Sequence, residues 1–557
     1  MPKVKPEMRA IILIIFILFA FFLLLPLAVL LVRSFETSHG YGLVNYLSIF
    51  SNKDLFEAIL NSIRVSTITA IISTILSYTL AYTINCTNLY RPIKAVIKTG
   101  ILVPMLLPTI TYGFAIMYSF GQQGLLTKLF GRTLFEIYGI NGLLIGYVIY
   151  TLPASYLLMN NSFQYIDKKM TIVSKLMGDR AIKSFVNTSV RPLVGTIGGA
   201  FVLSFIMSFT DFGIPASLGG TYNVVATQLY QVMLGALPNF NHGAVIAVLM
   251  LIPAMVGVIL LNYLEKFNFH YDKMSQIEQI PHKHRDIGMG IVSSLVVLCM
   301  FSVFVVMFMA PFVNSYPYNL TFTFQHFIDV FQSSDLTRVY QNSIWIAVLT
   351  AFFGTIIAYG SAILNVRSAM KKQTKLVIDI LSMITNTVPG MVLGLSYLLF
   401  FNESSLKGTF TIIVLCNIVH LFTTPYLMAK NALAKMNPAW ETTGELMGDS
   451  WIKTVYHVIL PNSASTVMEM LSYYFINSMV TISGIIFLVT AETSLVASKI
   501  KDLQHFQKYN EIFVLSLLIF FSNLFIKLLS DFFQKNRSKH RDIRWLNKKI
   551  SQREEVL

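Results

Sequence analysis

Residues 440–461 read WETTGELMGDSWIKTVYHVILP, and a shorter relative, SKLMGDRAIKSFVNTSVRP, occupies 174–192. Both contain Leu-Met-Gly-Asp, at 176–179 and again at 446–449. Gly178 and Asp179 therefore correspond to Gly448 and Asp449. Each copy ends at a proline, Pro192 or Pro461, ahead of a long apolar run. Because each sits in a polar stretch between two apolar segments, each is expected to be soluble surface held against a membrane.

The composition around them agrees. At 557 residues, 55% hydrophobic and 12% charged, the chain has too few charges to cover a soluble globule, which predicts an integral membrane protein. Apolar runs of about 20 residues, enough to cross roughly 30 Å of hydrocarbon as a helix, fall near 10–32, 62–84, 96–119, 141–159, 193–219, 243–264, 287–313, 342–366, 376–401, 409–429, 462–490 and 511–530. The first follows Lys3, Lys5 and Arg9, a flank shared with signal peptides. Its apolar core is longer than a signal's and has no small-x-small cleavage site, so it reads as a retained span. With the N-terminus cytoplasmic, 32 of the 42 Lys and Arg fall on the cytoplasmic side. The net charge of +15 is thus a positive-inside pattern, and the basic tail reads as an anchor for anionic lipid headgroups in place of a nucleic-acid site. Cys86, Cys299 and Cys416 lie in or beside apolar runs without pairing or ligand spacing and read as buried packing residues; no metal site is expected.

The second six runs repeat the first six. Asn61-Ser62-Ile63 matches Asn342-Ser343-Ile344, Tyr78 matches Tyr359 and Pro108 matches Pro389; later, at a slightly shorter offset, Tyr156 matches Tyr426, Asn161 matches Asn431 and Gly178 matches Gly448. Six is even, so both copies enter the membrane from one side. The expected fold is an all-α integral membrane protein of twelve transmembrane helices, arranged as two parallel six-helix repeats. Its parts are a first half at 1–264, a cytoplasmic linker at 265–286, a second half at 287–530 and a basic cytoplasmic tail at 531–557.

Glu441, Gly448, Val458, Leu460 and Pro461 resemble the cytoplasmic coupling loop of permeases from binding-protein-dependent ABC importers, in which an E-A-A segment precedes a glycine and I-x-L-P closes the loop. Here Thr442 and Thr443 stand where Glu and Ala are usual, and the first copy has Ile172-Val173-Ser174 in place of the acidic-small-small triplet. The resemblance implies a pore subunit of the bacterial cytoplasmic membrane with both termini inside. It also implies two ATPase subunits, docked at 170–191 and 437–460, and an extracytoplasmic solute-binding protein. A short helix, a tight glycine turn and a closing proline would make each loop a rigid lever. No G-x-x-x-x-G-K-[ST] loop occurs, so ATP and Mg belong to the partner; the chain is expected to be no enzyme and to hold no cofactor.

A solute pathway is expected between the halves. Residues 209–215, FTDFGIP, place Thr210, Asp211, Gly213 and Pro215 inside an apolar run, where a broken helix needs a protein interior or watery cavity to satisfy its backbone. The alternative is a helix that ends at the outer interface with Asp211 solvated. Similar D-F-G-x-P segments occur in permeases resembling the ferric-iron and 2-aminoethylphosphonate importers, and 478–488, SMVTISGIIFL, looks closer to the phosphonate type. Asn477, Thr481 and Ser483 are candidates for the same passage, or else helix-packing groups. Thr109, Thr111 and 385–387 (Thr-Asn-Thr) flank prolines Pro108 and Pro389, which are expected kinks. Two other function classes remain open: an ion-coupled carrier using Asp211, Asp379 or Glu469, and a membrane scaffold without transport.

Overall fold

The computed structural model describes residues 6–37, 40–167, 169–268, 282–368 and 370–554. Apolar sequence in hydrocarbon must satisfy its own backbone, so nearly all of it is helix. The first half contains α1 (Met8–Phe35), α2 (Lys53–Cys86), α3 (Arg91–Leu106), α4 (Thr109–Phe120), α5 (Ile140–Phe163), the short α6 (Lys169–Leu176), α7 (Ala181–Thr210), α8 (Gly213–Leu218), α9 (Val225–Leu234) and α10 (Phe240–Leu264). The second half contains α11 (Lys283–Phe312), α12 (Ser334–Arg367), α13 (Lys372–Thr387), α14 (Gly390–Phe400), α15 (Phe410–His420), α16 (Thr423–Ala434), α17 (Ala439–Leu446), α18 (Ala464–Val480), α19 (Val496–His505) and α20 (Tyr509–Glu554). Two small hairpins, β1–β2 (Glu36–Thr37 with Gly40–Tyr41) and β3–β4 (Val313–Ser315 with Asn319–Phe322), cap one end.

Among the described residues eight helices are long and apolar enough to span, and up to eleven spans result if each bent pair counts as one. The expected third and ninth spans are sharply broken: α3 and α4 meet at 110°, α13 and α14 at 103°. The cause is the paired prolines Pro108 and Pro389, each of which forces the preceding residue into an extended conformation: Leu107 has φ −120° and ψ 144°, Val388 φ −94° and ψ 113°. Polar side chains take up carbonyls left at the breaks. The Tyr112 hydroxyl donates to the Pro104 carbonyl at 2.5 Å, and Thr423 donates to that of Ser382 at 2.6 Å. The expected tenth span is bent by 53° between α15 and α16, whereas its counterpart α5 runs on through Pro153. The expected eleventh span, 462–490, ends early at Val480, as the fifth, 193–219, ends at Thr210.

Equivalent contacts recur in both halves. Asn61 donates to the Asn223 carbonyl and Asn342 to that of Glu492, each at 3.1 Å. Beside them Ser62 accepts from the Val225 amide and Ser343 from the Val496 amide, each at 2.8 Å. These pins hold the start of α9 on α2 and the start of α19 on α12.

The first helix of each half reaches across to the other, α1 while also packing on α10 of its own half. Phe19 of α1 meets Phe422 edge-on at 5.0 Å, and Tyr397 of α14 donates to the Phe22 carbonyl. Reciprocally, Ser293 of α11 hydrogen-bonds Thr83 of α2 at 2.7 Å, and Ser119 of α4 donates to the Val303 carbonyl at 2.9 Å. Asn523 of α20 adds a bond to the Leu106 carbonyl at 2.9 Å.

The structure adds detail to two expectations and revises a third. Most of the 265–286 linker lies outside the described residues, but its last part is already helix, since α11 starts at Lys283 with Asp286 buried against Arg285. The tail at 531–557 is continuous with the last span as far as Glu554, because no proline or glycine interrupts it. Cys299 is exposed on α11 among outward-facing Leu295 and Leu298, a lipid-facing position instead of a buried one; Cys416 is buried as expected.

Candidate functional site: twin turns and the corners above them

Each Leu-Met-Gly-Asp sequence is a helix end followed by a left-handed glycine. α6 stops at Leu176 and Gly178 takes φ +75°; α17 stops at Leu446 and Gly448 takes φ +79°. Glycine adopts that conformation without the clash an L side chain meets. The turn is closed in both copies by the aspartate amide, Asp179 to the Ser174 carbonyl at 3.1 Å and Asp449 to that of Gly444 at 2.9 Å. The same aspartates then reach forward to a lysine one helical turn on: Asp179 to Lys183 at 2.8 Å and Asp449 to Lys453 at 2.5 Å. Lys183 and the Ser174 hydroxyl hold the Asp179 carboxyl below the ordinary carboxylate range.

This geometry turns apolar side chains outward. Leu176 and Met177 are 82% and 77% exposed, and Leu446 and Met447 are 84% and 76% exposed. They stand at the turn tips, among charged residues and clear of the helical bundle. Large apolar side chains exposed on a polar surface are the kind of patch that protein contacts use. The repeated Leu-Met pair was legible in the sequence, but only the fold shows that these residues, and not the flanking glutamate, form the tip.

Glu441 has a different place. Its carboxylate oxygens lie 2.6 Å from Arg367 Nε and 3.0 Å from Nη2. The 2.6 Å approach is off the hydrogen-bond direction, so Nη2 makes the bond and Nε the charge contact. Arg367, 4% exposed at its side chain, also donates to the Met436 and Asn437 carbonyls. Glu441 therefore ties α17 to the end of α12. At the matching repeat positions the first half has Thr171 and Cys86, so this tie exists in one copy.

The prolines do not end the loops. Pro192 lies inside α7, which runs unbroken from Ala181 to Thr210, and Pro461 lies in the helix that rises from Trp451. Each is preceded by a π turn ending two residues earlier, Val186–Val190 and Val455–Ile459; the same arrangement, Ala20–Leu24, precedes Pro26 in α1. A widened turn makes room for a residue that has no N–H and would clash with the carbonyl four back. Leu460 sits directly after the second π turn.

The seven expected pathway residues divide between two corners. Asp211 is 7% exposed and its carboxylate accepts from the Ile214 amide at 2.9 Å, capping α8. It is not solvated at an interface, which removes that alternative. Gly213 lies so close to the start of α4 that a Cβ would meet the Thr109 hydroxyl at 2.2 Å, and Pro215 is buried within α8. In the second half Ser483 packs against Gly390, where a Cβ would be 2.6 Å from its hydroxyl. Thr210, Thr481 and Asn477 each donate back to their own helix, to the carbonyls of Ile206, Asn477 and Tyr473. Thr111 does the same to Pro108 and Thr387 to Ile384. Both groups thus sit where a broken span meets a proline bend. The carboxylates required of an ion-coupled carrier are placed otherwise: Asp211 caps a helix, Asp379 is paired with Lys430 at 2.5 Å and Tyr426 at 2.6 Å, and Glu469 is exposed.

Comparison with known proteins bears on the same regions. Residues 352–540 match the family described as binding-protein-dependent transport system inner membrane component. A protein of Haemophilus influenzae assigned as ferric transport system permease FbpB 1 is 25% identical over 86% of this chain and 77% of its own length. The ferric transport system permease protein FbpB of Actinobacillus pleuropneumoniae is 23% identical over 86% of this chain and 71% of its own. The thiamine transport system permease protein ThiP of Haemophilus influenzae is 24% identical over 56% of this chain and 58% of its own.

Proposed function

We propose that this chain, a member of the binding-protein-dependent inner-membrane permeases of ABC importers, forms the solute pathway of an ATP-driven importer with one ATPase subunit seated on each Leu-Met-Gly-Asp turn. The observation that carries this is the twinned turn: two left-handed glycines, two aspartate–lysine braces and two exposed Leu-Met tips at equivalent places. A single such tip would be surface decoration, but two related by the repeat fit a symmetric pair of partners.

The geometry also supplies a transmission. From Ala181 to Thr210 the helix is continuous over 30 residues, roughly 45 Å at 1.5 Å per residue. A push on Leu176 and Met177 is therefore delivered at the Asp211 corner. In the second half the path runs from Leu446 and Met447 through the helix rising at Trp451 to the corner at Thr481. Movement of the two corners against the proline bends would open the passage alternately to each side, with a binding protein delivering solute at the face away from the turns. With the turns read as cytoplasmic, both termini are expected on the same side.

For the solute, the ferric assignments of two relatives favour ferric iron. The 478–488 segment is the support for 2-aminoethylphosphonate, which none of the relatives' names above mentions. Competition between the two solutes in an uptake assay separates them.

The test is co-purification of the ATPase from mild detergent. Leu446→Glu with Met447→Glu is expected to lose the ATPase at the second turn while the chain's own thermal unfolding is unchanged, because both side chains are exposed. Gly448→Ala, which has open space around its Cβ but meets about 1–2 kcal/mol of left-handed strain, is expected to weaken the same contact. Retention of a full ATPase complement in the double variant would sink the proposal.

A further inference from the structure

At the end of the molecule away from the turns lies a cavity of about 610 Å³. Its wall carries Tyr118, Tyr138, Tyr316 and Tyr509 together with Gln122 and Glu136. Tyr118 is the hub, its ring 5.4 Å from Tyr316 and 5.5 Å from Tyr509. Tyr316 spends its hydroxyl on the Tyr118 carbonyl at 3.0 Å. The hydroxyls of Tyr118, Tyr138 and Tyr509 and the Glu136 carboxylate have no hydrogen-bond partner among the described residues. The lining includes no lysine or arginine. Nearby Lys128 is occupied, its ammonium on the Pro317 carbonyl at 3.2 Å and over the Tyr318 ring.

The cavity lies where the two repeats differ. Its floor is the 121–139 connection between α4 and α5, and the matching connection in the second half, 401–409, is ten residues shorter. A feature that sets Tyr316, Pro317 and Tyr509 of the second half against a connection of the first departs from the repeat and does not suit the twinned ATPase contacts; it suits something that arrives singly. It is also placed on the route. Met117 in its wall is eight residues along α4 from Thr109, roughly 12 Å, and Thr109 is the residue pressed against Gly213 at the first corner.

The geometry points to a vestibule that receives a small cationic solute before it enters the passage. Tyrosine faces attract cations, Glu136 supplies the one negative charge, and phenol and carboxylate oxygens are hard donors suited to a hard metal ion. The shared chemistry is positive charge, whether from a trivalent metal ion or an organic ammonium. This inference rests on the importer reading and adds the class of solute to it.

Equilibrium binding to the full-length chain in lipid nanodiscs tests it. The probes are ferric ion released from a weak chelator, tetramethylammonium, and inorganic phosphate as the anion control. Glu136→Gln is expected to weaken the bound cation about tenfold and leave phosphate untouched. Tyr138→Phe separates the sources: it keeps the ring and loses the hydroxyl, so metal binding falls while ammonium binding stays. Tyr138→Ala is expected to lose either. Both positions are exposed, so unchanged thermal unfolding checks that the variants fold. The vestibule is overturned if neither cation binds, or if Glu136→Gln binds the cation as wild type does. ATPase co-purification is expected to be normal in every one of these variants, and its absence from wild type would instead bring down the importer reading.

Discussion

At the scale of single residues, the two halves differ most at Glu441. The Arg367 guanidinium is nearly buried and has Glu441 as its charge partner, so Glu441→Gln leaves a poorly compensated charge at the base of α12. Hydrogen bonds to charged groups are worth about 1.5–3 kcal/mol, and a loss toward the lower end is expected because the Glu441 carboxylate retains some contact with water. Thermal unfolding of Glu441→Gln measures this, and Arg367→Met combined with Glu441→Leu is expected to recover part of the loss. An unshifted midpoint in the single variant would show that the pair is not structural. The matching Thr171 in the first half carries no such tie, so Thr171→Ala is the natural control. Glu441 therefore holds α17 in place, and in the proposed importer the partner contact falls to Leu446 and Met447.

Among the elements, the π turns decide how the turns connect to the membrane. Pro461 is accommodated by the widened turn at Val455–Ile459, and the helix beyond it leads through α18 to the Thr481 corner. Pro461→Ala restores an N–H and allows the wide turn to close to α geometry. Closing it removes one residue from the turn, which rotates the tip relative to α18 by about 100°. The expected outcome is a chain of equal or greater stability that still binds the ATPase but hydrolyses ATP without uptake. Measuring hydrolysis and solute accumulation side by side checks this; normal coupling would show that the π turn is only an accommodation of proline. The same logic explains why the sequence reading placed the loop's end at the proline: a proline in an apolar run signals a stop, and its absorption by a neighbouring wide turn leaves no mark in composition.

For the whole molecule, the packing of α1 and α11 across onto the opposite half has a direct consequence. Each half carries a helix packed on the other, through Phe19–Phe422 on one side and Ser293–Thr83 on the other. A chain divided at 275, expressed as two polypeptides, is therefore expected to assemble into one complex that co-purifies through a tag on either part. Two halves that separate in mild detergent would show that the covalent linker, and not the clasp, keeps them together.

The membrane-spanning, helical character of the chain and the twin turns were determined by the sequence itself, because hydropathy, proline and a left-handed glycine act locally. Asn61-Ser62 and Asn342-Ser343 were visible as repeat markers; that they pin α9 and α19 required the fold. Asp211 was read as a pathway residue or a solvated one and is a buried helix cap, since only packing determines which amide faces a carboxylate. The crossing of α1 and α11, the Arg367–Glu441 tie and the tyrosine-lined cavity each join residues far apart in the chain. No local preference encodes such partners; they follow from how broken and unbroken helices fill one another's space, and that was decided by the tertiary structure alone.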